Sequence, residues 1–206
     1  GFMEVPRGCM IAVSAISDIG DKILLSNGEE ICYTKRKKKA LREELQKKQE
    51  LMIAKISKKK LPLTPEEYGK YYKICDSLPF AFTDIEMVFN EEKKAVDWIF
   101  RYGNEALATL EKLPLDKMIG NSFSSLFSNM DAKWLHVYER ATLYGETLEI
   151  MDYSPEIDTN LKIICFPTFP GHCGCILFNA DQMKSISEEN HLVRLVAVAM
   201  KSNPTI

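Results

Sequence analysis

The fold is decided by the stretch at residues 97–106, which reads DWIFRYGNEA. Its first half completes a run of apolar and aromatic residues, 95–102, that is typical of a β-strand. Residues 104–113 then predict a short helix. Upstream, residues 80–89 form another strand-like run, and the polar segment at 90–93 separates the two runs as a turn. The pattern therefore predicts two neighbouring strands followed by a helix.

The segments downstream complete an α+β pattern. Residues 116–127 hold one or two helical turns, and residues 131–144 predict an amphipathic helix. Three further strand candidates follow at residues 146–153, 161–167 and 174–179. The order β-β-α-α-α-β-β-β, over about 100 residues, predicts a five-stranded antiparallel sheet with flanking helices.

Several of these segments, within residues 77–182, resemble the PAS family of sensor domains. Residues 97–106 resemble the PAS pattern in which the second strand runs into an Asn that starts the first helix. Residues 119–127, IGNSFSSLF, resemble the family's Ile-Gly-x-Ser/Thr-x-x-x-Leu-Phe segment, and residues 153–156 and 171–178 resemble its closing strands. The resemblance implies an interior pocket for an unknown small-molecule ligand. The candidate lining residues are Trp98, Phe100, Trp134, Tyr138 and Cys165.

The same five residues at these spacings are also typical of an ordinary hydrophobic core, which is the alternative interpretation. We predict no cofactor. The flavin-binding subclass of the family needs a reactive Cys in an Asn-Cys-Arg-Phe-type motif, and residues 103–105, GNE, occupy the comparable region. His136 lies on the helix from which haem-binding members donate a ligand, but a lone His on an amphipathic helix is usually structural.

Catalytic and metal-binding motifs are not evident in the sequence. It has no Gly-rich phosphate loop, no His-Glu-x-x-His and no Gly-x-Ser-x-Gly. His136, His172 and His191 have no evident acid or nucleophile around them. Cys173 and Cys175 lie beside His172 but lack a second ligand pair at the spacing of zinc sites. The sequence therefore predicts neither an enzyme nor a metal site.

Charge divides the chain into a basic front and an acidic back. Residues 1–60 carry 14 Lys or Arg and 8 Asp or Glu, a net charge of +6. Residues 61–206 carry 13 and 21, a net charge of −8. This asymmetry predicts two modules with different partners, one of them anionic. The alternative is a solvated Lys-rich helix on an ordinary protein.

The front end predicts a small β module followed by a helix. Residues 8–17 are typical of one buried strand. The runs at 23–26 and 31–34 flank Asn27-Gly28, the strongest short signal for a hairpin, and a type I′ turn would need positive φ at both residues. Lysine-rich residues 36–57 then predict a helix with a loose apolar stripe.

A second helix is predicted to begin at Thr64. Thr64 is a candidate N-cap, Pro65 fits the first turn and Glu67 occupies the capping-box position. A helix that precedes the sheet often pairs with its mate in the PAS family, so the resemblance implies a homodimer through the linker and pre-PAS helices. The candidate dimer contacts are Tyr68, Tyr71, Tyr72 and the stripe Leu41, Leu45, Leu51, Met52, Ile53 and Ile56.

Residues 2–46 resemble the C-terminal half of the LytTR family of DNA-binding domains. The family's Cys-His-Arg-Ser-type segment corresponds to residues 5–8, VPRG. Its hairpin with Asn-Gly-Glu corresponds to residues 25–30, and its closing basic stretch corresponds to residues 35–39. LytTR domains bind DNA through the loops of a β fold, so the resemblance implies DNA as a partner.

Two arginines match family sites that touch DNA, Arg7 and Arg36. An Arg side chain can bind a guanine edge in bidentate fashion or clamp a phosphate. Neighbouring lysines would mainly contact phosphates and add salt dependence. The predicted DNA-binding residues are Arg7, Lys35, Arg36, Lys37, Lys38 and Lys39.

These patterns predict four parts: a partial LytTR-like module at 1–46, a helical linker and pre-PAS helix at 47–76, a PAS sensor at 77–182, and a C-terminal helix or tail at 183–206. The leading hypothesis is a bacterial-type signalling and transcription regulator in which the sensor controls DNA binding. The alternative is a PAS signalling or protein-interaction module with a degenerate LytTR remnant. Pro6 and Ala12, which replace the family's His and Asn, favour this alternative.

Cysteine usage and hydropathy predict the compartment. The six cysteines are scattered through apolar runs, which favours buried reduced thiols over a disulfide scaffold. No apolar run approaches the roughly 20 residues needed to span a bilayer, and the start has no signal-peptide pattern. We therefore expect a cytoplasmic protein with no membrane partner.

Overall fold

The computed structural model describes residues 1–5, 8–59, 63–128 and 132–180. The chain forms two compact units, residues 1–58 and residues 59–206. The predicted C-terminal helix within residues 183–206 lies outside the described residues, as does Arg7.

The described part of the first unit contains short strands in two antiparallel sheets. The first sheet pairs β1 (Phe2–Val5) with β2 (Cys9–Ala12), and the second joins β3 (Ile16–Ile19), β4 (Ile23–Leu25) and β5 (Glu30–Ile31). The single strand predicted over residues 8–17 is wrong. A 3-10 turn at Val13–Ala15 buries Val13 and ends β2, so the two halves of that run pair in different sheets.

The predicted hairpin is present, but its turn is of another type. Gly28 has φ +85°, whereas Asn27 has no positive φ, so a type I′ turn is excluded. The Gly28 amide donates to the Leu25 carbonyl at 2.9 Å, and the Leu25 amide donates to the Glu29 carbonyl at 2.8 Å. This is a three-residue loop closed by a left-handed glycine. The Asn27 side-chain oxygen accepts from the Glu29 amide at 3.0 Å and stiffens the loop.

A long basic helix follows the hairpin. Residues Lys35–Lys37 form a 3-10 turn, and α1 spans Lys38–Lys59, which confirms the helix predicted over 36–57. Arg42 anchors the helix because its Nε donates to the Ile19 carbonyl at 2.8 Å. The buried apolar residues of the first unit are Met3, Val5, Ile11, Val13, Ile16, Ile19, Ile23, Leu41 and Ile53.

The second unit is built on a five-stranded antiparallel sheet, as predicted. Its strands lie in the order β7-β6-β10-β9-β8, and every neighbouring pair is antiparallel. The order places β6 and β10 near the centre and β7 and β8 at the edges. The strands are β6 (Ala81–Phe89), β7 (Ala95–Gly103), β8 (Leu148–Ser154), β9 (Thr159–Pro167) and β10 (His172–Asn179).

Helices precede the sheet and connect its second and third strands. The predicted helices over residues 104–113 and 131–144 are confirmed, and the helical turns predicted within residues 116–127 are two short helices. The helices are α2 (Pro65–Tyr71), followed by a 3-10 turn at Lys73–Ser77, then α3 (Glu105–Glu111), α4 (Leu115–Met118), α5 (Phe123–Leu126) and α6 (Ala132–Tyr144).

Successive side chains of a strand point to opposite faces, and each face of the sheet packs into its own core cluster. One face packs with α3 to α6, where Trp98, Phe123 and Tyr138 belong to the core. The other face packs with α2 in an aromatic cluster. That cluster includes Tyr68, Tyr72, Phe80, Phe82, Tyr102, Phe166 and Phe178.

The start of α2 has the predicted capping box. The Thr64 side-chain oxygen accepts from the Glu67 amide at 3.3 Å, and the Glu67 carboxylate accepts from the Thr64 amide at 2.7 Å. However, Tyr68 and Tyr72 are only 3% and 0% exposed within the chain itself. Their assignment as dimer contacts is therefore wrong, since both rings pack on the sheet of their own unit.

The cysteine prediction is correct in part. All six cysteines are free, and Cys75, Cys165, Cys173 and Cys175 are buried. Cys9 and Cys32 are exposed, so the prediction of buried thiols fails at those two positions. Among the helices of the described residues, none combines the length and apolar character that crossing a bilayer requires.

Candidate functional sites

The predicted DNA-binding residues that the structure describes lie at the start of α1. Lys35, Arg36 and Lys37 are exposed, and no described carboxylate pairs with any of them. Lys38 Nζ lies 3.6 Å from an Asp21 carboxylate oxygen, and Lys39 Nζ lies 3.9 Å from one of Glu43. Such exposed pairs contribute little, so the positive potential of the segment persists.

A concave surface gathers most of these cations. Five of its seven described lining residues are basic and one is acidic, so the surface carries a local excess of positive charge. Arg42 was not predicted, although it follows Lys38 and Lys39 at helical spacing and so shares their side of α1. Lys37 is not among the described lining residues. The lining residues are Lys35, Arg36, Lys38, Lys39, Arg42, Glu43 and Gln46.

The interior of the second unit holds a cavity on the side of the sheet that faces α6. Four predicted pocket residues, Trp98, Phe100, Trp134 and Tyr138, line it. Its volume of about 30 Å³ has room for about one or two water molecules. Cys165 is not among the described lining residues, and its Sγ lies 3.7 Å from the Leu148 carbonyl. A ligand role for the cavity remains a prediction.

One end of the cavity is acidic. Glu111 and Glu156 both line it, and burial together with the charge of Glu156 raises the pKa of Glu111 to about 7. One carboxylate oxygen of Glu156 accepts from the Ser154 hydroxyl at 2.6 Å, whereas the other is buried without a hydrogen-bond partner. Burial also raises the pKa of the Tyr138 hydroxyl well above its ordinary value. The sequence offered no signal that pairs Glu111 with Glu156.

A second polar cluster, the Asp84 cluster, lies on the opposite face of the sheet beneath α2. One Asp84 oxygen lies 2.6 Å from Nδ1 of His172, and the other accepts from the hydroxyls of Tyr72 at 2.7 Å and Thr168 at 2.5 Å. Asp84 and His172 are buried. The cluster thus joins β6, β10, α2 and the segment after β9 through one carboxylate.

A neighbouring ion pair extends the Asp84 cluster. Arg101 Nε donates to a Glu86 carboxylate oxygen at 2.6 Å, and that oxygen lies 3.8 Å from His172 Nε2. The Tyr68 hydroxyl lies 3.4 Å from the same Nε2 atom. The sequence showed no acidic partner for His172. The available signal was a pair of carboxylates, Asp84 and Glu86, at alternate positions of a largely apolar strand.

Cys173 and Cys175 point away from His172. Their Sγ atoms lie 3.5 Å apart in the core that packs against α6, and burial raises the pKa of both thiols. His172 instead faces Asp84 on the other side of β10. Within the described residues, no three His, Cys, Asp or Glu side chains are grouped so as to hold a metal ion.

Compared with known proteins, the chain matches no family model and no curated protein. The PAS and LytTR resemblances therefore depend on the motifs quoted above and on their order. A fold alone does not define an activity, so the basic surface, the cavity and the Asp84 cluster are the features that bear on function.

Proposed function

We propose that this chain is a bacterial-type signalling and transcription regulator in which a PAS-like sensor unit controls DNA binding by a LytTR-like basic unit. The observation that carries the proposal is the concave basic surface at the start of α1. It combines Lys35, Arg36, Lys38, Lys39 and Arg42 with a single carboxylate among its described lining residues. A concave cluster of cations is typical of surfaces that bind the anionic phosphate backbone of DNA.

The arginines on this surface have different roles in the proposal. Arg42 is held against the Ile19 carbonyl, so it fixes the position of α1 and contributes charge. Arg36 is exposed and free of described carboxylates, so its guanidinium is available for a phosphate or a guanine edge. Lys35 and Lys39 add phosphate contacts that carry no sequence information.

The sensor half of the proposal is supported by the order of elements and by the two faces of the sheet. The described strands and helices of the sheet in the second unit follow the order β-β-α-α-α-α-β-β-β, which has one short helix more than the order on which the PAS resemblance depends. Thr83 lines the cavity, and the next residue, Asp84, holds Tyr72 of the pre-sheet helix region. A change in the cavity can therefore alter the position of α2 on the sheet through a single strand, β6.

A homodimer belongs to the proposal as well. Because Tyr68 and Tyr72 are buried, contacts would come from other apolar side chains of the linker and pre-sheet segments. Leu51 of α1 is 56% exposed and Ile74 is 74% exposed. Sedimentation of the chain with Leu51→Lys and Ile74→Lys tests this part, and the proposal expects the variants to shift a dimer toward monomer.

Fluorescence anisotropy with a mixed-sequence DNA duplex tests DNA binding. The test variant is Lys35→Ala/Arg36→Ala/Lys39→Ala, which removes three cations from the basic surface. The matched control is Lys47→Ala/Lys55→Ala/Lys58→Ala, which removes the same charge from exposed positions farther along α1. We expect the test variant to bind about tenfold more weakly or worse, and the control to stay within about threefold of the parent chain.

Equal weakening in both variants would mean that net charge alone drives binding, which contradicts a site at the basic surface. If the parent chain does not bind DNA even at low salt, the regulator proposal is wrong. The alternative function would then be a signalling or protein-interaction module. Pro6 and Ala12, at positions where the LytTR family has His and Asn, favour that alternative.

A further inference from the structure

The cavity of the second unit contains polar groups that the described protein leaves without partners. The Tyr138 hydroxyl lines the cavity, its residue is buried, and no described residue hydrogen-bonds it. The Glu111 carboxylate forms no hydrogen bond or ion pair with a described residue, and one Glu156 oxygen is buried without a partner. Buried polar atoms are almost always satisfied, so the buried Glu156 oxygen points to a guest in the cavity, and the Tyr138 hydroxyl and the Glu111 carboxylate are available to contact it.

The charge of the residues that line the cavity indicates the charge of the guest. Two carboxylates face the cavity, and none of its described lining residues is Lys, Arg or His. The mutual repulsion of the carboxylates contributes to the raised pKa of Glu111. A positive group between them would relieve this repulsion and replace the hydration that burial removes.

The remaining walls suit an organic cation. Trp98, Phe123 and Trp134 line the cavity with Tyr138, and the Trp98 and Tyr138 rings meet edge to face at 5.1 Å. Aromatic faces attract cations, most strongly when water is excluded. The volume of about 30 Å³ limits the group that enters without rearrangement to about the size of an ammonium head.

We propose that this cavity binds a small organic cation through a primary ammonium group, which Glu111 and Glu156 hold by charge and Tyr138 contacts through its hydroxyl. The inference rests on the sensor half of the proposed function, because it names the class of ligand that the sensor takes. It does not depend on DNA binding. Ordered water in place of a cation is the competing occupant.

Intrinsic fluorescence gives a direct test, because the only two tryptophans of the chain, Trp98 and Trp134, both line the cavity. The probes are methylammonium, propylammonium and 2-phenylethylammonium chlorides, each compared with the neutral alcohol of the same skeleton and with sodium chloride. We expect a saturable change in tryptophan emission for at least one ammonium and none for its alcohol.

Variants locate the binding. Glu111→Gln and Glu156→Gln keep shape while removing charge, and each should weaken ammonium binding by about tenfold or more. Tyr138→Phe should weaken it less, because it removes one hydrogen bond. Glu105→Gln, at an exposed position on α3 outside the cavity lining, is the control and should bind like the parent chain.

Three results would overturn the inference: no saturable change with any ammonium, an equal change with the alcohols, or parental binding in both Gln variants. The first would mean that water alone fills the cavity. Because no DNA is present, these outcomes are independent of the anisotropy experiment. If the chain binds DNA but no ammonium, the cation proposal is wrong and the regulator proposal stands. If it binds an ammonium but no DNA, the cation proposal stands and the regulator proposal is wrong.

Discussion

His172 Nδ1 lies 2.6 Å from a carboxylate oxygen of Asp84, although the two residues are 88 positions apart in the chain. The other Asp84 oxygen accepts from Tyr72 and Thr168. One buried carboxylate thus receives partners from α2's C-terminal end, from β10 and from the segment that follows β9. This arrangement makes Asp84 the principal polar link between the sheet and the helix that precedes it.

Removing Asp84 should therefore destabilise the second unit strongly. Asp84→Ala leaves the Tyr72 hydroxyl, the Thr168 hydroxyl and the His172 ring without their acceptor, and breaking a buried polar pair typically costs about 3–5 kcal/mol. Urea unfolding followed by tryptophan fluorescence measures this, since Trp98 and Trp134 both lie in the second unit. Asp116→Ala, at an exposed position of α4, is the control and should change stability by less than about 0.5 kcal/mol. Equal small losses would contradict the assigned role of Asp84.

Gly174 is required by close packing on β10. A Cβ atom at this position would lie 2.9 Å from side-chain atoms of both Phe166 and Thr168. Gly174→Ala should destabilise the second unit by about 1–3 kcal/mol, because the fully buried Phe166 ring would have to shift to admit the methyl group. Gly69→Ala makes the matched control. A Cβ there meets nothing within 4 Å, and the substitution in α2 should be neutral or stabilising by up to about 1 kcal/mol. Thermal denaturation measures both variants, and the melting temperature should fall for Gly174→Ala and stay the same or rise for Gly69→Ala.

Asn104 ties the start of α3 to the rest of the second unit. Its side-chain oxygen accepts from the amides of Leu107 and Phe82, and its amide group donates to the carbonyls of Cys75 and Phe80. Asn104→Ala should lower the free energy of unfolding by on the order of 3 kcal/mol. This loss is larger than that for removing an ordinary N-cap side chain, because four buried backbone groups lose a hydrogen-bond partner.

Ser122→Ala is the control for Asn104→Ala. Ser122 is the N-cap of α5 but makes no side-chain capping bond, so its removal should cost less than about 0.5 kcal/mol. Similar unfolding midpoints for the two variants in urea would show that the bonds of Asn104 contribute nothing beyond a generic cap.

Glu111 should make stability depend on pH. Its pKa is about 7 in the folded chain against 4.5 as the ordinary value, and the other titratable groups that line the cavity are Glu156, Tyr138 and Cys175. A carboxyl with a raised folded pKa favours folding at low pH, and this advantage disappears as pH rises from about 4.5 to about 7. The free energy of unfolding of Glu111→Gln should therefore equal that of the parent chain near pH 4.5. At pH 8 it should be larger than that of the parent chain by on the order of 1–3 kcal/mol.

The measurement for Glu111 is the difference in unfolding free energy between the variant and the parent chain at several pH values. Glu105→Gln, which leaves the cavity unchanged, should show a difference that does not vary with pH. A flat difference for Glu111→Gln as well would mean that its carboxyl titrates as an ordinary exposed group.

Local patterns in the sequence predicted local structure well. The capping box at Thr64, the hairpin at Gly28 and the helix that starts after Asn104 each depend on residues a few positions apart. Alternation and element order were sufficient for the five-stranded antiparallel sheet, because runs of strand-like residues can bury two faces only by pairing. The turn type at Asn27 was missed because the closing bond to Glu29, which defines the loop length, was not evident from the dipeptide alone.

Long-range relations were not predictable from one sequence. The partner of His172 is Asp84, and the partner of Glu111 is Glu156, and neither pair has a local pattern. The pre-sheet tyrosines had the periodicity of a dimer contact, but the structure uses Tyr68 and Tyr72 inside their own unit. Periodicity identifies an apolar face without identifying what covers it.

The regulator proposal depends most directly on the salt dependence of DNA binding. The decisive measurement is the affinity of the parent chain for a mixed-sequence duplex by fluorescence anisotropy, between about 50 and 200 mM salt, beside the Lys35→Ala/Arg36→Ala/Lys39→Ala variant. The proposal predicts binding that weakens steeply with salt, and a log–log slope that is shallower in the variant by about one for each phosphate that the variant no longer neutralises. Absence of binding at the lowest salt, or the same slope in both proteins, would contradict it.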